Sequence, residues 1–401
     1  MKKDVKKVVS MKKADVVLVG IGGYGEIYVE DIFENPHPSI NLIGAVEPYP
    51  ERCKYYQQFK NRNIPIYSKM SDFFENHSAD LTVISTPIFL HTEHIIEALK
   101  NKSNVLCEKP LCADECDIEL IRAVQKESGK FVYIGYQWSY SDAITALKSD
   151  VQNKKLGDLI DAKTLILRPK TRDYFERGIG WAGKIKTADG KLVYDSVANN
   201  SAAHYLFNML YIMDNGNEIK PENISAELLR ANNIENFDTS KIDFTVNDAK
   251  MCFIAAHPVK DGIEPIFEYK FTNGTVYYSS QKIKDSYALL PKEYTEYGKI
   301  VAIMKDGSKV IYGDPMQDQC KKLHISAMDA ACDEHKEPIC GVESAAIHTK
   351  LINTIQKEFQ IYDIKQSYLM EEDNLLYADG LFEKTLECYR NTDNSIMDFA
   401  E

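Results

Sequence analysis

The sequence predicts an α/β protein in which a doubly wound parallel sheet precedes an α+β domain with an open, mainly antiparallel sheet. Three observations predict it. Short continuous apolar runs alternate with helix-like segments up to Trp138, the pattern of parallel strands covered on both faces. Beyond Trp138 the strands come as hairpins instead. The chain also has 401 residues, more than one hydrophobic core usually organises, so two domains are expected.

In chain order, Asp15–Val19 is a first strand, followed by an amphipathic helix through Phe33. Asn41–Val46 and Leu81–Ser85 are further strands, and a helix runs from His91 to Lys100. Val105–Cys107, a helix from Ala113 to Lys130, and Phe131–Tyr136 close the series. A helix from Ala143 to Asn153 then leads into hairpins around Asn273-Gly274 and Asp306-Gly307, dipeptides suited to two-residue turns. Ala188-Asp189-Gly190 before Leu192–Tyr194 reads as a third. A helix spans His204–Met213, and helices after Pro315 and Val342 are expected to pack back near the first domain. The expected domains are a disordered leader (1–13), a dinucleotide-binding domain (14–138), a substrate and oligomerisation domain (139–365) and a C-terminal helical extension (366–401).

Composition excludes several classes. Sixty acidic against 48 basic residues give a net charge of -12, which argues against general phosphate-backbone binding, so no nucleic acid is expected. No apolar run approaches the ~18 residues that would span a membrane. Met1–Lys13 is basic and lacks an apolar signal core. Nine cysteines without framework spacing suit a reducing compartment, hence a cytoplasmic protein. The grouping of Cys320, His324, Cys332, His335 and Cys340 is explained by helical periodicity, with Ile325, Met328, Ala331 and Cys332 as a buried stripe; no metal is expected there or at Cys112 and Cys116.

One motif carries chemistry. Gly20-Ile21-Gly22-Gly23-Tyr24-Gly25 fits G-x-G-x-x-G directly after a buried strand and opens a helix, the context of the Rossmann fingerprint. Gly20 makes the turn, Gly22 admits the pyrophosphate, Gly25 allows close packing, and the helix N-terminus supplies N–H groups to the phosphates. Glu47, ending the second strand, is placed to accept the ribose hydroxyls and repel a 2′-phosphate, so NAD is favoured over NADP; Arg52 lies close by. No phosphate loop for ATP is present.

Several segments together resemble the glucose–fructose oxidoreductase and inositol dehydrogenase (Gfo/Idh/MocA) family, from about residue 14 to 358: Leu18–Gly25, Thr86-Pro87 with His91, Glu108-Lys109-Pro110, Gly135-Tyr136-Gln137, His204 heading an apolar helix, and Met328–Ile347. The resemblance implies a cofactor site that includes Thr86, Pro87, His91, Glu108, Lys109 and Gln137, active-site roles for Lys109 and His204, and oligomerisation through the C-terminal sheet. Asn200 stands where the family usually has Asp, Ile88 follows Thr86-Pro87 in place of the usual Asn, and Trp138 and Ser139 replace basic residues. The chemistry expected is hydride transfer between NAD and a secondary alcohol of a sugar or cyclitol. His204 would be the base, Lys109 its electrostatic partner, and Asn200 would orient the imidazole from the same helix face, with Asp195 able to stand in for the missing carboxylate. Tyr136, Trp138 and Arg168, with Lys170, Arg172 and Tyr194, are candidate substrate contacts. Two other readings keep the fold: an NAD-recycling glycosidase working by transient oxidation and elimination, and a non-catalytic dinucleotide-binding regulator.

Overall fold

The computed structural model describes residues 12–177, 180–214, 219–317, 320–332 and 337–401; most of the expected leader lies outside them. The first domain runs β1 (Ala14–Val19), α1 (Gly25–Glu34), β2 (Ile40–Val46), α2 (Tyr56–Asn61), β3 (Ile66–Tyr67), α3 (Met70–Phe74), β4 (Leu81–Ile84), α4 (His91–Lys100), β5 (Asn104–Cys107), α5 (Asp117–Ser128) and β6 (Val132–Ile134). These six strands are all parallel, in the order β3-β2-β1-β4-β5-β6. The order reverses beside β1, and ligands of such sheets bind outside the carboxyl ends at that point. Residues 81–84 and 104–107 are buried throughout, as strands covered on both faces must be.

The second half begins with α6 (Asp142–Gln152), β7 (Leu159–Leu167), α7 (Arg172–Glu176) and α8 (Ala203–Tyr211). Strands β8 (Glu222–Arg230), β9 (Thr239–Val246), β10 (Ala249–Ala256), β11 (Ile263–Phe271), β12 (Gly274–Ser279), β13 (Ile300–Met304) and β14 (Lys309–Gly313) follow. After α9 (Lys321–Cys332) and α10 (Val342–Glu358) come β15 (Ile361–Asp363), the hairpin β16 (Leu369–Glu372) and β17 (Leu375–Ala378), and α11 (Leu381–Arg390). Nine strands form one sheet ordered β14-β13-β12-β11-β7-β10-β9-β8-β15, antiparallel except at β7–β10 and β8–β15. The two Gly-turn hairpins form as expected. The third forms as a short irregular turn: Ala188–Gly190 closes the antiparallel bridge of Lys186 to Leu192, with backbone bonds from Thr187 to Lys191 and from Val193 to Ile185, and does not extend into full strands. Lys184 and Ile185 on one flank also bond to Glu235.

Three further findings amend the sequence expectations. Helix α9 packs against β1, β2, β4 and β5 of the first domain, and it does so with Lys322, Leu323, Ser326, Ala327, Ala330 and Ala331 buried. Met328 is exposed, as is Cys332. The helix is therefore turned away from its predicted stripe, because small side chains let it lie close on the sheet. Residues beyond 366 contain a β-hairpin as well as a helix. The sheet face that the resemblance left open is covered at its centre. Leu381, Phe382, Leu386 and Tyr389 join Leu165, Leu167, Cys252 and Ile254 in one buried cluster, held by apolar burial worth about 25 cal/mol per Å².

Candidate active site

The glycine turn has the geometry a dinucleotide needs. Gly20 has φ +83°, and a Cβ there would lie 2.8 Å from the Ser85 carbonyl; only glycine is comfortable in that conformation and space. A Cβ on Gly25 would come within 2.2 Å of the Gly20 carbonyl. Above Gly23 there is open space, and above Gly22 only the Glu47 carboxylate at 4.0 Å. Glu47 is fixed by the backbone N–H groups of Ile21 (3.3 Å) and Tyr49 (3.1 Å). The buried Ser85 hydroxyl beneath the turn has no hydrogen-bond partner among the described residues. This set fits a dinucleotide: Gly22 and Gly23 would face its pyrophosphate and Glu47 its ribose. Tyr24 donates its hydroxyl to Gln137 (3.1 Å), and Arg52 stacks 4.6 Å over the exposed Tyr49 ring.

Lys109 follows β5, at the carboxyl edge of the sheet. Its ammonium donates to Asn200 twice, to the backbone carbonyl (2.9 Å) and to Oδ1 (2.8 Å). Asn200 in turn donates to Asp195 (2.7 Å), and Asp195 is held by the Gly183 N–H (2.6 Å) and Arg177 (3.4 Å). Burial lowers the Lys109 ammonium to about 8, overriding the upward pull of Glu108 and Asp195; Lys322 and Arg177 add to the lowering. Burial also holds the His204 imidazole well below its usual range, reinforced by the nearby charges of Lys109, Lys322 and Arg168. His204 Nδ1 is buried without a partner among the described residues. A second proton would place an unpaired N–H there, so the ring is neutral.

Asn200 does not orient His204 as expected. Residues 197–201 form a π-turn, and Ala202 breaks it (φ -108°, ψ 6°) before α8 begins. The i, i+4 face sharing of a continuous α-helix is lost, and the amide turns to Lys109. Asp195 acts through Asn200 on the lysine.

Four expected ligand contacts are instead supports. His91 is 1% exposed, and its ring nitrogens face the carbonyls of Pro110 (2.7 Å) and Thr86 (3.0 Å). It ties the Thr86-Pro87 loop to the Lys109-Pro110 loop. The Glu108 carboxylate is buried and taken up by Tyr28 (2.5 Å) and Lys322 (2.5 Å). Tyr136 lies in the core, stacked on Phe207 at 3.7 Å with its hydroxyl on His348 (3.0 Å), and presents its ring edge-on to His204. Trp138 is equally buried, packed on Tyr205 and Tyr278 with its N–H directed to the Met316 sulfur. Aromatic rings in this strand-end segment fill the domain interface, where apolar area is worth most.

Arg168 does reach the site, bonding Glu264 (2.6 Å), the Tyr205 hydroxyl (3.2 Å) and the Ser201 carbonyl (3.5 Å). Arg172 points away to Glu371 (2.7 Å), and Tyr194 is buried. Sequence reasoning missed Lys322, which α9 inserts beside Glu108, and Arg177. A lysine interrupting the small-residue face of α9 was the available signal for the first; nothing local marks the second. Among the described residues, no three His, Cys, Asp or Glu side chains are placed to hold a metal. His324 instead meets Asp31 at 2.7 Å and stacks on His37; His335 lies outside the described residues. Among the described residues, no helix is long and apolar enough to cross a membrane.

Residues 14–136 match the Gfo/Idh/MocA family model, described as an oxidoreductase family with an NAD-binding Rossmann fold. The N-terminal domain belongs to the Gfo/Idh/MocA family. Among curated relatives, inositol 2-dehydrogenase 1 of Paenarthrobacter aurescens (strain TC1) is 24% identical over 165 residues, 41% of this chain and 48% of that protein. The 2,7-anhydro-N-acetylneuraminate hydratase of Escherichia coli (strain K12) is 25% identical over 150 residues, 37% of this chain and 38% of its own. The chain thus spans about half the length of the curated relatives it matches, or less. The shape likeness extends further. The WlbA dehydrogenase from Bordetella pertussis, solved with NADH and UDP-GlcNAcA, superposes with a TM-score of 0.66 over 86% of this chain and 96% of that one, at 16% identity. The likeness of fold therefore extends beyond residue 136.

Proposed function

We propose that this Gfo/Idh/MocA chain is an NAD-dependent oxidoreductase acting on a secondary alcohol of a sugar or cyclitol. The observation that carries the reading is Lys109, whose ammonium is held by Asn200 beside a neutral His204 and lowered to about 8. NAD supplies the hydride acceptor; the protein must move the hydroxyl proton. The roles are reversed from the sequence expectation. The neutral amine of Lys109, with a pKa matched to working pH, accepts the proton. The imidazole is too weak a base in this setting and hydrogen-bonds the reacting oxygen instead. Asn200 and Asp195 position the amine. Glu47 supports NAD over NADP, since a 2′-phosphate would face its carboxylate.

A second reading retains the same residues but recycles the cofactor, with transient oxidation acidifying a neighbouring C–H and permitting elimination; the relative named a hydratase favours it. The test is a panel of sugars, cyclitols and glycosides followed by reduced-nicotinamide absorbance and, separately, by product analysis with catalytic NAD. Stoichiometric NADH supports net oxidation. Product formed without NADH accumulation selects the recycling reading, and neither signal, with NADH nonetheless bound, overturns both.

A further inference from the structure

Within a chain of net charge -12, the segment from the end of β7 through α7 gathers positive charge beside the site. Arg168 donates to Glu264 and to the Ser201 carbonyl, one residue from Asn200. Arg177 stacks 3.7 Å from the Tyr174 ring and reaches Asp195. The Lys170 ammonium lies 4.5 Å from the centre of that same ring and, among the described residues, has no carboxylate within ion-pair distance. Three cations, Arg168, Lys170 and Arg177, converge where two carboxylates, Asp195 and Glu264, answer them. The excess is felt: burial, then Arg168 and Arg177, lower the Lys170 ammonium, and His257 beneath them is kept neutral, near 3, chiefly by burial.

Like charges held together in a part-buried site destabilise the empty protein unless a ligand supplies the missing charge. The hydroxyls of a neutral polyol offer no such charge. We propose that Lys170, Arg168 and Arg177 form an anion subsite and that the substrate is a sugar derivative carrying a carboxylate or phosphate. The substrate class rests on the oxidoreductase reading above. The Tyr174 ring contacts both Lys170 and Arg177, and the tie from Arg168 to the Ser201 carbonyl places the subsite beside the segment that carries Asn200 and His204.

Calorimetric binding to the full-length protein saturated with NADH tests it, using D-glucuronate, D-glucose 6-phosphate and D-glucose, with turnover measured separately. An anionic sugar should bind at least about tenfold more tightly than glucose, and K170Q should remove most of that preference while K170R retains it, as expected for one charge worth roughly a tenfold change. Whichever of the two anions binds more tightly identifies carboxylate or phosphate as the recognised group. Equal affinity for charged and neutral sugars, or a K170Q protein that keeps the full preference, overturns the subsite. An anion that binds through Lys170 without being oxidised or converted leaves the subsite standing and removes the oxidoreductase reading instead.

Discussion

Two lysine ammoniums flank Glu108, and they are driven in opposite directions. Lys322 comes from α9, is 1% exposed, and meets the Glu108 carboxylate directly, also donating to the Gly135 carbonyl. Burial would discharge it, but Glu108 and Tyr24 outweigh burial and raise it. The pair lowers Glu108 in turn, although burial alone would raise that carboxyl. Lys109 is adjacent in sequence to the same carboxylate, yet among the described residues its ammonium hydrogen-bonds only the neutral oxygens of Asn200, and burial wins. A full opposing charge in contact fixes a proton, while dipoles alone leave it exchangeable. The first lysine ties α9 to the first domain; the second keeps an exchangeable proton.

The comparison can be broken at either lysine. Lys109→Met should reduce turnover about 10²–10⁴-fold, the usual worth of a proton-transfer group, while NADH binding followed by fluorescence persists. Wild-type turnover in the variant would remove Lys109 from the reaction. Lys322→Met leaves Glu108 buried without its cation and should cost about 3 kcal/mol in chemical denaturation; adding Glu108→Gln should recover much of that. A double variant as unstable as the single would show that packing, not charge, is the tie.

Smaller effects sharpen the contrast. On the proposed mechanism, with the Lys109 amine as the active form and its pKa near 8, alcohol oxidation should rise with pH through about 8 and level off above it, with carbonyl reduction falling over the same range. Asp195 pulls the Lys109 pKa upward, so Asp195→Asn should move that inflection down by roughly one unit. A shift in the opposite direction would contradict the electrostatics assigned to the pair. Glu47→Ser lies outside both lysines and should change the NAD-to-NADP preference alone, by about tenfold, read from binding of the two reduced cofactors.

The cofactor half was legible because its determinants are local. Gly20, Gly22, Gly25 and Glu47 act through backbone conformation and their places at the ends of strands, both written in short-range sequence pattern. The turn forms where the pattern places it, with Gly20 and Gly25 crowded by neighbouring carbonyls and little above Gly22 and Gly23. The second half was legible as hairpins but not as a site. His91, Tyr136 and Trp138 carry the residue types of ligand contacts, yet burial makes them braces. The helix periodicity that paired Asn200 with His204 was defeated by a π-turn.

What the amino-acid sequence determined by itself is the succession of strands and helices and the glycine turn, since propensity and periodicity act over a few residues; the family resemblance was needed to single out Lys109 and His204. Only the tertiary structure decided the charge state of those groups. Lys109 meets Asn200 across 91 positions, and Lys322 meets Glu108 across 214. A pKa is set by distance and desolvation, and neither is defined until the chain has folded.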